Sequence, residues 1–163
     1  MKLGLGSYSY RWSIGHKDRT PSSPITCIEL LGITSKLDLD VLQIADNMPV
    51  HNIETQTLDQ LYRTAQKQGI NLEIGMQSFS TESIKLYLDI AQRLDARILR
   101  IALDGNDVGT SDDIIAKEFK NILPIAEKIN CKIAIENHFA FPSDRMANII
   151  KLVDEEYLGA CLD

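Results

Sequence analysis

The stretch Ile133-Ala134-Ile135-Glu136-Asn137-His138 decides the fold of this chain, together with its counterpart Leu158-Gly159-Ala160-Cys161-Leu162-Asp163. Each begins as a short apolar run of the kind that forms a buried β-strand, and each reaches an acid where that run ends. Acids at the carboxyl ends of successive parallel strands are a common way to build a metal or acid/base site. We therefore expect a parallel sheet with Glu136 and Asp163 at one edge.

Similar runs, rich in Val, Ile and Leu, recur along the whole chain and alternate with amphipathic segments. This alternation is typical of βα units around a parallel sheet whose strands are covered on both faces. The predicted strands are residues 2–6, 41–45, 71–75, 98–103, 132–136 and 158–162. Their centres repeat about every 31 residues, and eight such units would fill the roughly 250 residues of a (β/α)8 barrel.

The sequence therefore predicts an α/β fold: an incomplete (β/α)8 TIM barrel with six parallel strands and about five helices. We expect it to form a single partial domain over residues 1–163. A complete doubly wound open sheet is the competing architecture, and a chain of 163 residues would suit it. The turn after the first strand has Ser9 where the third glycine of a dinucleotide-binding motif would fall. Flavodoxin-like sheets need no such motif, so this evidence is weak.

Three segments between the strands change to the period of a helix, with apolar residues on one face. These faces comprise Leu58, Leu61, Tyr62 and Ala65; Ile84, Tyr87, Leu88, Ala91 and Leu94; and Ile115, Phe119, Ile122, Ala126 and Ile129. Ser111 before two acids and Thr81-Glu82 are typical helix starts, whereas Gly69 is typical of a helix end. Pro124 falls inside the third pattern and predicts a kink or a break.

The first connection, residues 7–24, differs from the others because it is polar, long and rich in aromatic residues. Loops of that length are usually functional or disordered. Its Tyr8 and Trp12 are candidates to close over a substrate. The alternative is that they only pack the loop onto the barrel.

Charge and composition exclude several classes of function. A net charge of −6 argues against a nucleic-acid partner, because such binding depends on basic residues that neutralise phosphates. No apolar run approaches the ~18 residues of a membrane span, and the one after Met1-Lys2 is too short for a signal peptide. The three cysteines are an odd number and lack a C-x-x-C spacing, which predicts buried thiols in a reducing compartment. We therefore expect a cytoplasmic protein that acts on a small molecule.

The strand ends supply the candidate site residues, since in a barrel they share one mouth. They are Ser7 and Tyr8, Asp46 and Asn47, Gln77, Arg100 and Asp104, Glu136 with Asn137 and His138, and Asp163. Glu136 is the strongest candidate, and a solvated strand end is its alternative. Arg100 lies inside a buried strand and needs an anionic partner, either a substrate oxygen or an acid in a structural ion pair. His138 is either a loop histidine beside the site or a metal ligand.

Three stretches, residues 4–12, 135–138 and 159–163, resemble the xylose isomerase-like TIM-barrel superfamily. Within it, the likeness is to the sugar phosphate isomerase/epimerase group. The specificity of this resemblance rests mainly on the two acids Glu136 and Asp163, which are 27 residues apart.

The resemblance implies one divalent metal (Mn²⁺, Mg²⁺, Co²⁺ or Zn²⁺), held by a Glu on strand 5, an Asp on strand 6, a His on strand 7 and a Glu on strand 8. Glu136 and Asp163 match the first two positions, so the metal would be incompletely liganded in this chain. It also implies that Glu136 takes a proton from the carbon beside a sugar carbonyl while the metal stabilises the enediolate. The candidate contacts to a sugar or sugar phosphate are His138, Arg100, Trp12 and Tyr8.

Two alternatives to the isomerase stay open. If the polypeptide ends at Asp163, we expect little or no isomerase activity from it alone. A non-catalytic sugar-binding fragment would instead form a homo-oligomer that covers the open sheet edges at the first and sixth strands. Endonuclease IV, a DNA-repair enzyme of the same superfamily, needs histidines at the ends of strands 2 and 3. This chain has Asp46-Asn47 and Gln77-Ser78 there, which disfavours DNA repair.

Overall fold

The computed structural model describes residues 2–16, 19–138 and 140–162. Within them, six strands form one sheet in chain order, and every neighbouring pair is parallel. They are β1 (Gly4–Gly6), β2 (Val41–Ile44), β3 (Asn71–Gln77), β4 (Ile98–Ala102), β5 (Lys132–Glu136) and β6 (Leu158–Cys161). The predicted strands are confirmed, and their predicted bounds differ from these by two residues at most. The sheet does not close on itself within the described ranges.

Six α-helices accompany the strands in this part of the chain: α1 (Arg11–Ile14), α2 (Cys27–Lys36), α3 (Thr55–Gln68), α4 (Thr81–Leu94), α5 (Asp112–Lys128) and α6 (Ser143–Val153). The helix beyond the predicted five is α1, which lies in the connection predicted as a loop. A 3-10 helix over Ser7–Tyr10 leads directly into it, and Gly15 ends it with φ of 126°, a conformation that suits glycine. Among the helices that the structure describes, none is long and apolar enough to span a membrane.

Helix α5 continues through Pro124, so the predicted break is absent. Pro124 is exposed, and so is Lys120 one turn earlier, whose carbonyl loses its usual helical partner. Water can satisfy that carbonyl on the solvent side. On the opposite face, Ile122 and Ala126 are fully buried. Packing of the apolar face therefore outweighs the local cost of the proline.

Helix ends follow short-range signals in the sequence. Gly69 ends α3 in the left-handed conformation, with φ of 69°. Ser80, one residue before the predicted start, caps α4 by accepting a hydrogen bond from the N–H of Ser83. In α2, Thr26 and Glu29 form a capping box in which each side chain accepts the other's backbone N–H. These caps fix the points at which the helices leave the connecting loops.

The two faces of the sheet differ in character. Side chains alternate along each strand, so one face meets the helices and the other lines the inside of the partial barrel. The helix face is apolar and buried, with Leu42, Ile44, Leu72, Ile74, Leu99, Ile101, Ile133 and Ile135. The inner face is mixed, with Gln43, Glu73, Gly75, Arg100 and Ala134. The expectation of strands that are apolar on both faces therefore fits the helix face alone.

The cysteines pack mainly as small apolar side chains. Cys27 and Cys131 are buried, as expected, whereas Cys161 on β6 is half-buried. Burial raises the pKa of both buried thiols, to about 12 for Cys131. At neutral pH these two side chains are therefore protonated thiols that fill space in the core.

Candidate active site

Arg100 lies on the inner face of β4, where its guanidinium joins two carboxylates. Its Nη1 donates to Glu136 Oε1 and its Nη2 donates to Asp46 Oδ1, both at 2.6 Å. The exposed fractions of these side chains are 8% for Arg100, 7% for Glu136 and 19% for Asp46. Charge-assisted bonds of this kind offset the cost of removing three charges from water.

Tyr8 extends this arrangement to the first strand. Its hydroxyl donates to Asp46 Oδ2 at 2.6 Å, so each oxygen of Asp46 accepts one hydrogen bond. Burial raises the pKa of Tyr8 to about 12, and the bond to Asp46 adds to the effect, so the phenol keeps its proton at neutral pH. We call Tyr8, Asp46, Arg100 and Glu136 the Arg100 network. It holds two carboxylates and one guanidinium, which leaves an excess of negative charge.

The order of the strands explains why these side chains meet. Glu136 is the last residue of β5, while Asp46 and Tyr8 lie just beyond β2 and β1. The carboxyl ends of parallel strands share one edge of the sheet, and Arg100 reaches that edge from the middle of β4. The structure thus brings together three predicted site residues, Tyr8, Arg100 and Glu136. Their functional roles remain predictions.

His138 lies beside a different acid at the same edge. Its Nδ1 is 3.5 Å from Asp104 Oδ2, and Gln77 Nε2 donates to that oxygen at 2.7 Å. The backbone N–H of Gly105, followed by Gln77, holds the pKa of Asp104 below its ordinary value. An imidazole and a carboxylate therefore lie at the ends of β5 and β4. His138 follows Glu136 by two residues, and Asp104 follows the last residue of β4 by two.

Trp12 contacts residues of its own connection. The guanidinium of Arg11 lies 5.1 Å from its ring centroid and that of Arg19 lies 5.7 Å away. The ring of His16 meets it edge-on at 5.3 Å. More than half of Trp12 is exposed. These contacts lie within the connection itself, so they do not show Trp12 packing the loop onto the barrel, and a role for Trp12 in substrate binding remains a prediction.

Asp46 is the member of the Arg100 network that sequence reasoning does not single out as a site residue. It stands among the strand-end candidates, but nothing in its local sequence sets it apart. The signal that could have identified Asp46 is Arg100, because a buried guanidinium needs acidic partners and few acids lie at the ends of the nearest strands. Two carboxylates, Asp46 and Glu136, share it. The ion-pair alternative for Arg100 is therefore the one that the geometry supports.

A cavity of about 310 Å³ lies beside the network, between the ends of β2 and β3 and the first turns of α4. Its lining is Asp46, Pro49, His51, Met76, Gln77, Ser83, Leu86 and Tyr87. His51 Nδ1 and the Tyr87 hydroxyl are 2.8 Å apart. Burial raises the pKa of Tyr87 to about 12, with Asp46 contributing. Two of the lining side chains, His51 and Tyr87, are thus already bonded to one another.

The described residues fit the expected divalent metal only in part. No group of three His, Cys, Asp or Glu side chains in residues 2–16, 19–138 and 140–162 could hold an ion together. Arg100 is the donor to Glu136 Oε1, and Oε2 accepts no hydrogen bond from the residues described. Asp163, the second predicted ligand, lies outside them. Glu136 and Asp163 therefore remain predicted ligands, and the part of the chain that the structure describes offers no set of three such side chains for the ion.

Comparison with known proteins gives one relative and several structural neighbours. The chain is 26% identical over all 163 residues to the 3-oxo-isoapionate decarboxylase of Pectobacterium atrosepticum and spans 58% of its length. Its fold matches a crystal structure of D-psicose 3-epimerase in the presence of D-fructose, with a TM-score of 0.74 and 15% identity. That match covers the whole of this chain and 63% of the epimerase.

A second structural neighbour is the IOLI protein, which was crystallised with a zinc atom. The TM-score is 0.71 at 16% identity, over 98% of this chain and 62% of the neighbour. The chain therefore spans less than two thirds of the length of these relatives. The sequence model of the xylose isomerase-like TIM barrel matches residues 35–163, which is most of the chain. The protein accordingly belongs to the xylose isomerase-like TIM-barrel family.

Proposed function

We propose that this chain provides part of the active site of a sugar or sugar-phosphate isomerase or epimerase, with Glu136 as the base. The observation that supports this most directly is the state of Glu136. Its carboxylate is largely buried, is held through Oε1 by Arg100, and keeps Oε2 clear of donors among the described residues. A fixed carboxylate with one unused oxygen at the mouth of a barrel suits proton abstraction.

The reaction would begin at the carbon beside the sugar carbonyl. Glu136 Oε2 takes the proton from that carbon, the electron pair of the broken C–H bond forms a carbon–carbon double bond, and the π pair of the carbonyl moves to its oxygen to give an enediolate. Delivery of a proton to the neighbouring carbon, with the hydroxyl proton moving to the former carbonyl oxygen, gives an isomer. Delivery of a proton to the opposite face of the same carbon gives an epimer. His138 would contact a substrate oxygen in this proposal, and its position two residues after Glu136 at the same edge supports that role.

A divalent metal is the cofactor of this proposal, with Glu136 and Asp163 as its ligands from this chain. Two features support it: the zinc atom in the IOLI neighbour and the excess negative charge of the Arg100 network. Mn²⁺, Mg²⁺, Co²⁺ and Zn²⁺ all accept carboxylate oxygens. When bound, the ion would supply electrostatic stabilisation to the enediolate oxygens.

Deuterium exchange is the most sensitive test, because it needs only the first proton transfer and not complete turnover. The 163-residue protein is incubated with Mn²⁺ and a panel of ketoses and ketose phosphates in D₂O, and deuterium at the carbon beside the carbonyl is measured by NMR. We expect slow exchange that Glu136→Gln abolishes and that Glu127→Gln, an exposed acid on α5, leaves unchanged. Exchange at the same rate in Glu136→Gln would contradict the proposal.

A second candidate is decarboxylation, which the similarity to 3-oxo-isoapionate decarboxylase supports. In a 3-oxo acid the bond to the carboxylate breaks, CO₂ leaves, and the electron pair forms an enolate that then takes a proton. The same barrel mouth could stabilise that enolate. Release of CO₂ from a 3-oxo sugar acid, with no deuterium exchange in the ketose panel, would favour this candidate over the isomerase.

A third candidate is a non-catalytic sugar-binding module that associates with itself. Strands β1 and β6 are the outer strands of the described sheet, and Leu3 and Leu162 beside them are 60% and 81% exposed. Unpaired strand edges with apolar neighbours favour association between copies. Light scattering at micromolar concentration would show a dimer or a larger species, and a monomer would count against this candidate.

A further inference from the structure

We propose that Arg100 is a positioning residue for Glu136 rather than a contact to the substrate, and that residue 75 is a glycine because the Arg100 side chain crosses it. Only the catalytic readout of this inference rests on the proposed function. The structural readout, which is the position of the Glu136 carboxylate, is independent of it.

The path of Arg100 runs over neighbouring strands through a row of small residues. In register with it lie Gly75 on β3 and Ala134 on β5, and Ala45 borders Gly75 at the end of β2. A Cβ added to Gly75 would lie 2.9 Å from Arg100 Nε and 3.4 Å from Nη2. Any larger side chain at position 75 would therefore push the guanidinium out of its place. These small residues leave room for one long side chain to lie flat across the inner face.

The donors of Arg100 are committed to acids from two separate strands. Nη1 bonds to Glu136 beyond β4 on one side, and Nη2 bonds to Asp46 across β3 on the other. Nε is buried and has no acceptor among the described residues. The two carboxylates occupy one donor on each terminal nitrogen, and the Arg100 side chain is only 8% exposed, so little of the guanidinium is open to a substrate anion. The planar guanidinium therefore bonds to two acids at once, a geometry that the point charge of lysine cannot reproduce.

The consequence for Glu136 is a fixed carboxylate. A free glutamate side chain samples several rotamers, and ordering it costs free energy. Here Arg100 holds Oε1 at 2.6 Å, while Tyr8 and Asp46 hold Arg100 from its other end. A base displaced by about 1 Å loses much of its rate because the reacting atoms no longer line up. The network thus fixes Glu136 on β5 through residues that follow β2 and β1, three and four strands away.

The direct test compares crystal structures of the wild-type protein with Arg100→Met, Arg100→Lys and Arg93→Met. We expect the Glu136 carboxylate to move by about 1 Å or more, or to occupy two rotamers, in both Arg100 variants. In Arg93→Met, which removes an exposed arginine, it should stay in place. If Arg100→Met does not fold, Arg100→Lys retains the charge and still decides the question. A Glu136 carboxylate that keeps its position in the Arg100 variants would overturn the inference.

The role of Gly75 is tested by a double-mutant cycle on Tm. Gly75→Ala should lower Tm by about 2–4 °C in the wild-type background, since the added methyl group meets Arg100. In the Arg100→Lys background, which lacks Nε and Nη2, the same change should cost less than half as much. Equal losses in the two backgrounds would show that Gly75 does not serve Arg100 and would refute this part of the proposal.

The catalytic readout separates this inference from the proposed function. Where the wild-type protein exchanges deuterium, Arg100→Lys should lower the limiting rate about tenfold or more with little change in the substrate concentration at half-saturation. A rise in that concentration alone would identify Arg100 as a substrate contact and overturn the inference. If no protein exchanges deuterium, the isomerase proposal fails, and the position of Glu136 in the crystal structures still decides the role of Arg100.

Discussion

The two faces of strand β4 show opposite solutions to burial within five residues. Leu99 and Ile101 point to the helices and are completely buried in a continuous apolar core. Arg100, between them, points to the inside of the partial barrel and is almost as inaccessible. The helix face is stabilised by many weak apolar contacts, and these do not depend on the identity of any one neighbouring side chain. The inner face depends on two acids, Asp46 and Glu136, at defined positions.

This difference predicts how each face responds to substitution. Truncation of an apolar side chain on the helix face costs the burial of the removed atoms and leaves a cavity, whatever its neighbours are. Removal of a charge from the inner face costs most when its partners stay behind, because they are then buried without compensation. The inner face should therefore be sensitive to single changes and tolerant of matched ones.

Arg100→Met should destabilise the protein by about 3–5 kcal/mol, because it leaves the buried Glu136 and the partly buried Asp46 without a cation. Urea denaturation of the wild-type and variant proteins measures the change. The triple variant Arg100→Met, Asp46→Asn, Glu136→Gln should regain most of the loss, since no uncompensated charge remains. A triple variant as unstable as Arg100→Met would show that the loss comes from packing and not from charge.

Ile101→Ala, one residue along the same strand, should cost about 3 kcal/mol in the same assay. Its side chain is fully buried in the core formed with the helices, so its removal leaves a cavity. No change of charge on the inner face should restore this loss. If Asp46→Asn and Glu136→Gln were to rescue Ile101→Ala, the two faces would not be energetically independent.

The helix face could be predicted from the sequence and the inner face could not, for a physical reason. Apolar patterns within a single element predict which of its residues are buried. Examples are the run Ile133-Ala134-Ile135 and the apolar faces of α3, α4 and α5. Local patterns therefore predict the strands, their order and the barrel class. Of the kink or break predicted at Pro124, the break is absent, because packing on the opposite side of α5 lies outside any local rule.

The site is only partly predictable, because its side chains come from strands that are far apart in the sequence. Glu136 and Arg100 stand out as site residues from their positions at a strand end and within a buried strand. Their pairing, over 36 residues, and the pairing of Arg100 with Asp46, over 54 residues, are properties of the folded sheet. Gly75 carries no signal at all in the sequence, since its role is to leave space for a side chain on the next strand.

Arg145→Met should have an intermediate effect, a loss of about 1–2 kcal/mol. Arg145 on α6 donates to Asp112 at 2.7 Å and to the carbonyl oxygens of Val108 and Thr110, so it ties α6 to the start of α5. Its side chain is 24% exposed, and water can replace some of these bonds. A loss as large as that of Arg100→Met would show that burial is not what separates the two arginines.

The bond between Arg145 and Asp112 should also give a measurable dependence of stability on pH. Burial by itself would raise the pKa of Asp112 and is the largest influence on it. The hydrogen bonds from Asn148 and Arg145, together with the positive charge of Arg145, outweigh it, and the pKa lies below its ordinary value of 3.8. Asp112 therefore contributes stability that is present above pH 3.8 and is lost as the pH falls through the lower pKa of the folded state. Between pH 5 and pH 2, roughly, the wild-type protein should lose more stability than Asp112→Asn. Parallel curves would contradict this.

The smallest effect is expected for the ion pair between Arg93 on α4 and Asp59 on α3, although its geometry equals that of the inner face. The two atoms are 2.6 Å apart, as in both bonds of Arg100, but the side chains are 44% and 43% exposed. Water solvates each partner once the other is removed, so Arg93→Met should change stability by less than about 0.5 kcal/mol. Raising the salt concentration should reduce even that difference, whereas the loss in Arg100→Met should persist because its acids are shielded from ions. Equal losses in these two variants would mean that distance and not burial sets the strength of an ion pair in this protein.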